Sequence, residues 1–524
     1  YIREGTYFLD EPLVLTSADS GTRECPITYE AYRTAKGVER VVISGGRTIS
    51  GFSPIKVNGH DMIAGPVPDA KDGKWNPDQL FVNDRRASRT RLPKKGWYTI
   101  KSAPSAEKWQ DGQDTFTFNP GELKAGWHNL ADVDVVSYNF WVESRMPIKS
   151  VDDATNTVTL AKKSRFWLRQ DFDKSKYARF AVENVFEALD TPGQWYLDRP
   201  QGKLYYYPRA NENPDRVGFI APRLTTLVEL KGTKANPIEF VTFRNLRFSH
   251  NQFARPLDQS GFPQAAVDVP GAVSAVQAQY CEIDRCEFSR IGTYGVEFGN
   301  GCSNCTIRRS LITDMGGGGV KIDHGAQRIT VTDNEISDGG KLFASAVGVW
   351  VGASPHNRIT NNTICEFDYT GVSVGWSWGY AKTGGVDNLI ALNHIHHVGR
   401  GVLSDLAGIY TLGVSPGTII RNNVIHDCQS FSYGGWGIYT DEGSTGILIT
   451  DNIVYRTKTG GFHQHYGKDN ILTNNIFAFA TQHQLQRTRP EEHKVFTFER
   501  NIVYYDKGKL LGSNWSDNNH VMDY

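Results

Sequence analysis

From about residue 240 onward the chain repeats one short pattern: an apolar residue, two others, a small or amide residue, one more, then an apolar residue. FRNLRF, IDRCEF, IRRSLI, VTDNEI, ITNNTI, IALNHI, IRNNVI, ITDNIV, LTNNIF and FERNIV are its instances. Their fourth positions fall at 246, 286, 310, 334, 362, 393, 423, 452, 475 and 501, so after a first gap of 40 the spacing stays between 23 and 31. From Asn334 onward all seven members carry asparagine there. A second motif lies between them, glycine followed by an alternating apolar stretch: GVEF at 295, GVKI at 319, GVWV at 348, GVSV at 371, GIYT at 408 and 437, and GFHQ at 461. Short period-2 strands at this spacing, with an asparagine ladder at a turn, predict an all-β fold, a right-handed parallel β-helix. Amides stacked along the axis would give buried turn groups hydrogen-bond partners. A sandwich would show hairpin turns, and propeller blades repeat at about 40 residues or more.

The repeat does not cover the whole chain. GTYFL, PITYEAY and VVISGG in residues 1–51 look like early coils. Residues 52–215 lose the pattern and hold Trp- and Tyr-rich strand candidates separated by Pro, Gly and Asp, which predicts an inserted β-sandwich-like domain. Residues 216–524 then form the main β-helix.

Composition narrows the partners. Acidic and basic residues balance at 57 each, so no general field draws the protein to nucleic acid or an anionic membrane. No apolar run approaches the roughly 18 residues of a membrane span. The chain starts YIREGTYFL without Met, the expectation being a trimmed, secreted or periplasmic product whose export signal lies upstream. Among the seven cysteines, Cys281, Cys286, Cys302 and Cys305 have zinc-like spacing. Cys281 and Cys305 lie 24 apart in matching contexts, however, so buried packing in neighbouring coils is the better reading. Oligomeric state and cysteine redox state stay open.

Register makes the coils comparable. If the residue after each motif glycine points inward, the next points outward, giving the column Glu297, Lys321, Trp350, Ser373, Tyr410, Tyr439 and His463, one exposed ladder with rungs about 4.8 Å apart. Such a row, with Trp376 and Trp436 near it, is a platform for sugar rings, which stack on aromatics and hydrogen-bond at their edges. Acids accompany it: Asp323 with His324, Asp441 with Glu442, and Asp368 and Asp405 each three residues ahead of a motif glycine. Glycosidic hydrolysis needs two carboxyl groups. Asp405 and Asp441 sit one coil apart but seven positions apart along the strand, on the order of 20 Å if extended, so only a folded-back loop could unite them. Asp368 with Asp405, in one column, would need no bend. His463 and His465 share a strand face, and a substrate-binding role outweighs a metal one, since no third ligand has suitable spacing. No metal or cofactor is expected. Lys321 beside Asp323 and His324 could instead serve a lyase as base.

The stretches GTYFLDEPLVL, VVISGGRTISGF, LFVNDRRASRTRLP, WYLDRPQGKLYYYP, SDLAGIYTLGVSPGTIIRNNVIHD and GGWGIYTDEGSTGILITDNIVYRTKTGGFHQHYG together resemble the bacterial β-helix proteins akin to glycoside hydrolase family 141, and more distantly family 120. The resemblance spans nearly the whole chain. It implies a glycosidase with an inserted β-sandwich, an acidic catalytic pair and retention of configuration, acting on α-L-fucosides, xylan or xylosides. It places the pair on Asp405 and Asp441, with Glu442 as alternative to Asp441 and Asp368 as reserve. The leading expectation is therefore a glycoside hydrolase acting on plant or algal polysaccharide, its sugar held by Tyr410, Trp436, Tyr439, His463 and His465. A polysaccharide lyase and a non-catalytic carbohydrate-binding β-helix are the rivals.

Overall fold

Each coil of the repeat turns three times. Its strands fall into three parallel sheets of twelve strands each among the described residues, and each strand pairs with the equivalent strand one coil on. The computed structural model describes every residue except 254, 255, 257, 258, 260, 262 and 524. One compact unit holds residues 1–44, 226–249 and 265–524, and this is the right-handed β-helix predicted from the spacing.

The interior is filled by stacked side chains of one kind. Ile336, Ile364, Ile395 and Ile425 line one wall, and Val331, Ile359, Ile390 and Ile420 a second. Val349, Val372, Ile409 and Ile438 line the third, and all of these are completely buried. The motif glycines face this core. A Cβ on Gly348, Gly371 or Gly408 would lie 2.4, 2.6 or 2.4 Å from the Cγ2 of Ile364, Ile395 or Ile425. The repeated glycine is thus a packing requirement, since nothing larger leaves room for the isoleucine stack.

The asparagines form the predicted ladder. The Nδ2 of Asn334, Asn362, Asn393, Asn423, Asn452 and Asn475 each donates to the Oδ1 of the next asparagine at 2.9–3.0 Å. The same Oδ1 accepts the backbone N–H of the preceding rung, as Asn423 does from Asn393 at 3.0 Å. The residue before each asparagine is left-handed, from Asp333 at φ 57° to Arg500 at φ 53°, which makes the corner tight and leaves its amides to be met by side chains. Stacking extends to the cysteines. All seven are free thiols, and Cys281 and Cys305 lie buried in adjacent coils, at matching places just ahead of paired strands.

A second compact unit comprises residues 45–225 and 250–264. It starts before residue 52 and ends after residue 215 because the strand Gly46–Ile49 pairs antiparallel with Phe219–Pro222. Its sheets are mostly antiparallel, around a core that includes Phe116, Phe118, Val135, Met146 and Phe180 and another that includes Trp75, Trp195, Tyr206 and Phe219.

Asn393 is a mid-ladder rung, and its amide bonds Ile359 O, Asn423 Oδ1 and, as acceptor, both nitrogens of Asn362. Asn393→Ala orphans several buried groups at once and should destabilise the β-helix by about 3 kcal/mol or more. Urea unfolding followed by circular dichroism checks this, and an unchanged midpoint would show that the ladder adds nothing.

Candidate active site

The predicted column exists in register. Glu297, Lys321, Trp350, Ser373, Tyr410, Tyr439 and His463 pair one coil after another, and Gln486 continues the line. It is not an exposed ladder, however. Lys321, Trp350, Ser373, Tyr410, Tyr439 and His463 are all buried, because the long connections between strands fold back over this sheet face. The register was right and the exposure wrong: alternation tells which side of a sheet a residue takes, not what covers that side.

One of those connections carries Asp405. The chain leaves the strand His394–Val398, and the strand Ala407–Thr411 begins only after eight further residues. Asp405 itself is left-handed at φ 58°, with its N–H donated to Tyr433 O and its carbonyl accepting Tyr369 Oη at 2.9 Å. Gly434, the first glycine of GGWGIYTDEG, passes directly behind it. A Cβ there would come within 2.7 Å of the Asp405 nitrogen, so the acid's position requires a glycine in the next coil.

Asp441 follows the strand Trp436–Thr440 and approaches from the other end. The two carboxyl groups meet on one phenol. Tyr439 Oη lies 2.7 Å from Asp441 Oδ1 and 3.3 Å from Asp405 Oδ1, which caps the separation of these two oxygens at about 6 Å. The extended-chain distance is therefore removed by the folded-back loop. Tyr410 donates to the other oxygen of Asp441 at 2.5 Å.

Electrostatics follow from this burial. Desolvation, then the neighbouring Asp441 charge, pushes Asp405 well above the usual carboxylate range, against the Tyr439 hydrogen bond. Desolvation also raises Asp441, opposed by its bonds from Tyr410 and Tyr439. Burial and the nearby carboxylates raise both phenols far above their ordinary value, so both keep their protons. Tyr439 has one proton to give. The shorter contact assigns it to Asp441, and the Asp405 contact is then a hydrogen bond only when Asp405 is the protonated partner.

The remaining candidates divide around this pair. His463 stacks on Tyr439 at 4.6 Å between ring centres and lies 4.1 Å from Trp436, whose indole donates to Gln486. His463 Nε2 and His465 Nδ1 both meet Thr488 Oγ1, at 2.8 and 2.7 Å, and burial keeps both rings neutral, His465 falling to about 4. Buried with no protein partner are His463 Nδ1 and Trp350 Nε1. Trp376 bridges Trp350 and Tyr410 at 5.7 and 6.3 Å and donates to Ser373, and the exposed Trp378 packs edge-on against it. Glu442 turns to another set, accepting from Arg489 at 3.0 Å and Tyr466 at 3.1 Å.

Two expectations fail. Asp368 does not share a column with Asp405: Phe367 pairs with Val398, so its neighbour in the next coil is Gly399, and its carboxylate is held by Arg400 at 2.7 Å. Lys321 is no free base either. Its ammonium is bound by Glu297 at 2.8 Å and by the carbonyls of Val267 and Val269, while Asp323 and His324 pair with each other at 3.0 Å. Tyr369, Arg489, Tyr466, Gln486 and Thr488 were missed. Only Gln486 had a signal, since it extends the column by one coil.

A model of the right-handed β-helix region matches residues 229–364, 271–477 and 347–521, and a model of the GH141 insertion domain matches residues 61–209. A solved structure titled "Glycoside hydrolase" is similar at 23% identity over 90% of this chain and 88% of that one, with a TM-score of 0.73. XylC in complex with xylose is similar at 13% identity over 99% and 80%, with a TM-score of 0.52. No curated protein sequence matches the chain.

The raised Asp405 has a stability consequence with a definite sign. A carboxyl whose folded-state pKa is raised binds its proton more tightly folded than unfolded, so it costs stability as pH rises from the ordinary value of 3.8 through the raised one. Asp405→Asn removes that cost. The variant should melt higher than the parent at pH 8, with the gap closing toward pH 4, and a gap independent of pH would contradict the raised Asp405.

Proposed function

The chain belongs to the right-handed β-helix family and carries a GH141 insertion domain, and from that premise we propose that it is a retaining glycoside hydrolase. Asp405 is the proton donor and Asp441 the nucleophile. The observation that carries this reading is the convergence of two carboxyl groups on Tyr439, Asp441 buried with two phenol donors and the half-buried Asp405 with the stronger upward pKa shift.

The chemistry follows from those roles. Asp405, whose pKa is raised the more strongly of the two, gives its proton to the glycosidic oxygen as the bond to the leaving group breaks. Asp441, ionised and held through both oxygens by Tyr410 and Tyr439, attacks the anomeric carbon and forms a glycosyl ester. Asp405, now a carboxylate, takes a proton from water, which releases the sugar and restores both groups. A cap of about 6 Å on the oxygen separation favours this double displacement, because single displacement keeps its carboxyls roughly 6.5–9.5 Å apart to admit water.

The substrate side is aromatic and neutral. Trp436, Tyr439, His463 and Trp376 are buried rings that surround the pair, the exposed Trp378 packs beside Trp376, and His463 Nδ1 and Trp350 Nε1 are buried polar atoms that a hydroxyl would satisfy. The balanced charge suits an uncharged polysaccharide or oligosaccharide of plant or algal origin, with α-L-fucosides and xylosides the favoured classes.

Asp405→Ala and Asp441→Ala should each lower hydrolysis by at least about a thousand-fold in a panel of aryl fucosides, xylosides and arabinosides. With azide added, Asp441→Ala should yield a glycosyl azide of inverted configuration and Asp405→Ala one of retained configuration. Interchanged products would exchange the two roles, and near-normal turnover in both variants would refute the pair.

A further inference from the structure

On the sheet adjoining the site sheet in each coil, strands His394–Val398 and Val424–Cys428 lie in adjacent coils and place four imidazoles together. His396 is paired with His426 in register, and their rings are nearly parallel at 5.1 Å. His397 and Asp427 follow them, both left-handed, at φ 53° and 55°. That turn breaks the strand's alternation, so each consecutive pair, His396 with His397 and His426 with Asp427, stays within reach on the outer face. Asp405 and Asp441 have no part in this cluster.

We propose that His397, His426 and Asp427 form a site for a first-row divalent cation of the zinc type. Their ligand atoms all lie within 4.8 Å of one another, and two imidazoles with a carboxylate are a donor set such ions take, with a position left for water. His426 Nδ1 already faces Asp427 Oδ2 at 2.6 Å, where a cation would replace the shared proton. Both ligating rings have an outer partner for the second nitrogen. His426 Nε2 meets His394 Nε2 at 2.8 Å, and His397 Nδ1 meets His396 Nδ1 at 2.8 Å. Such outer bonds set the tautomer and aim of metal-binding histidines.

One group opposes the ion. Arg456 holds Asp427 through Nε at 2.9 Å and Nη2 at 2.6 Å, and its Nη2 lies 3.4 Å from His426 Nδ1. Its side chain is 55% exposed and rests on Tyr455, so a divalent cation must displace this two-point surface pair, and removing the arginine removes that competition. A bound cation would join two successive coils through side chains, in addition to their backbone ladder.

The test uses the full chain freed of metal with EDTA and titrated with ZnCl2 by calorimetry, with MgCl2 as control and CoCl2 for its visible bands. The expected result is one zinc per chain, no magnesium heat, a Co2+ spectrum of nitrogen and oxygen ligation, and a higher Tm with zinc. His397→Ala, a change at an exposed position, should weaken zinc at least about ten-fold, and Arg456→Ala should tighten it. Neither variant should alter glycoside hydrolysis. Absence of stoichiometric zinc binding, or zinc affinity unchanged in His397→Ala, would overturn the proposal.

Discussion

Every feature of the long unit depends on successive coils holding the spacing of hydrogen-bonded parallel strands, about 4.8 Å, turn after turn. The asparagine ladder enforces it where it is hardest to meet, at a tight corner whose backbone groups have no strand partner. Each rung satisfies a backbone amide and a backbone carbonyl of the coil before it and donates to the asparagine of the coil after, so a shift in one coil breaks bonds in its neighbours. The motif glycines set the complementary limit across the interior, where the isoleucine stack leaves no volume for a Cβ. With corner and wall both fixed, connections elsewhere can lengthen without disturbing the register. The connection ahead of Ala407 does so, and it brings Asp405 over the face of the sheet.

That placement sets up an electrostatic conflict that the surrounding side chains resolve unequally. Two carboxyl groups so close, one buried and one half-buried, do not both ionise easily. Asp441 receives both phenol protons, and Asp405 meets Tyr439 Oη at a longer distance with no proton left to accept, so the remaining proton belongs on Asp405. Four coils of aromatic and imidazole side chains, from Trp376 to His463, exclude water around the pair and make the difference between its members count. A raised carboxyl in the folded state costs stability as pH rises through its pKa, so this desolvation works against the fold.

The architecture was legible in the sequence because its cause is periodic. The asparagine at Asn393 and the glycine at Gly408 recur once per coil for reasons of packing and hydrogen bonding, and that recurrence survives loops of variable length. The outward column was legible for the same reason, down to Tyr410 lying beside Tyr439. What covers a column is not periodic, so Lys321 and Tyr439 were expected on an exposed face and are buried. The approach of Asp405 to Asp441 was hidden too, since its cause is one left-handed residue and one glycine, Gly434, in a different coil. The four-histidine cluster escaped notice because a corner residue breaks the alternation by which side chains are assigned to faces.

Left-handed backbone separates architecture from chemistry in this fold. Between residues 300 and 500 most non-glycine left-handed residues fall into three columns that repeat once per coil: one before the asparagines, one running from Asp314 through His397 to Asp427 and Arg456, and one from Asn304 to Asp469. Those are the corners of the β-helix, and each is supported by the coil on either side. Four lie outside the columns: Trp376, Arg400, Asp405 and Arg489. Each such residue costs about 1–3 kcal/mol unless its surroundings impose it, and such strain concentrates at active sites. Asp405 is one of the two acids, Trp376 touches Tyr410, Arg489 holds Glu442, and Arg400 binds Asp368. Two of the four departures, Asp405 and Trp376, thus lie at the acid pair and its phenols, and the other two, Arg489 and Arg400, fix the carboxylates of Glu442 and Asp368.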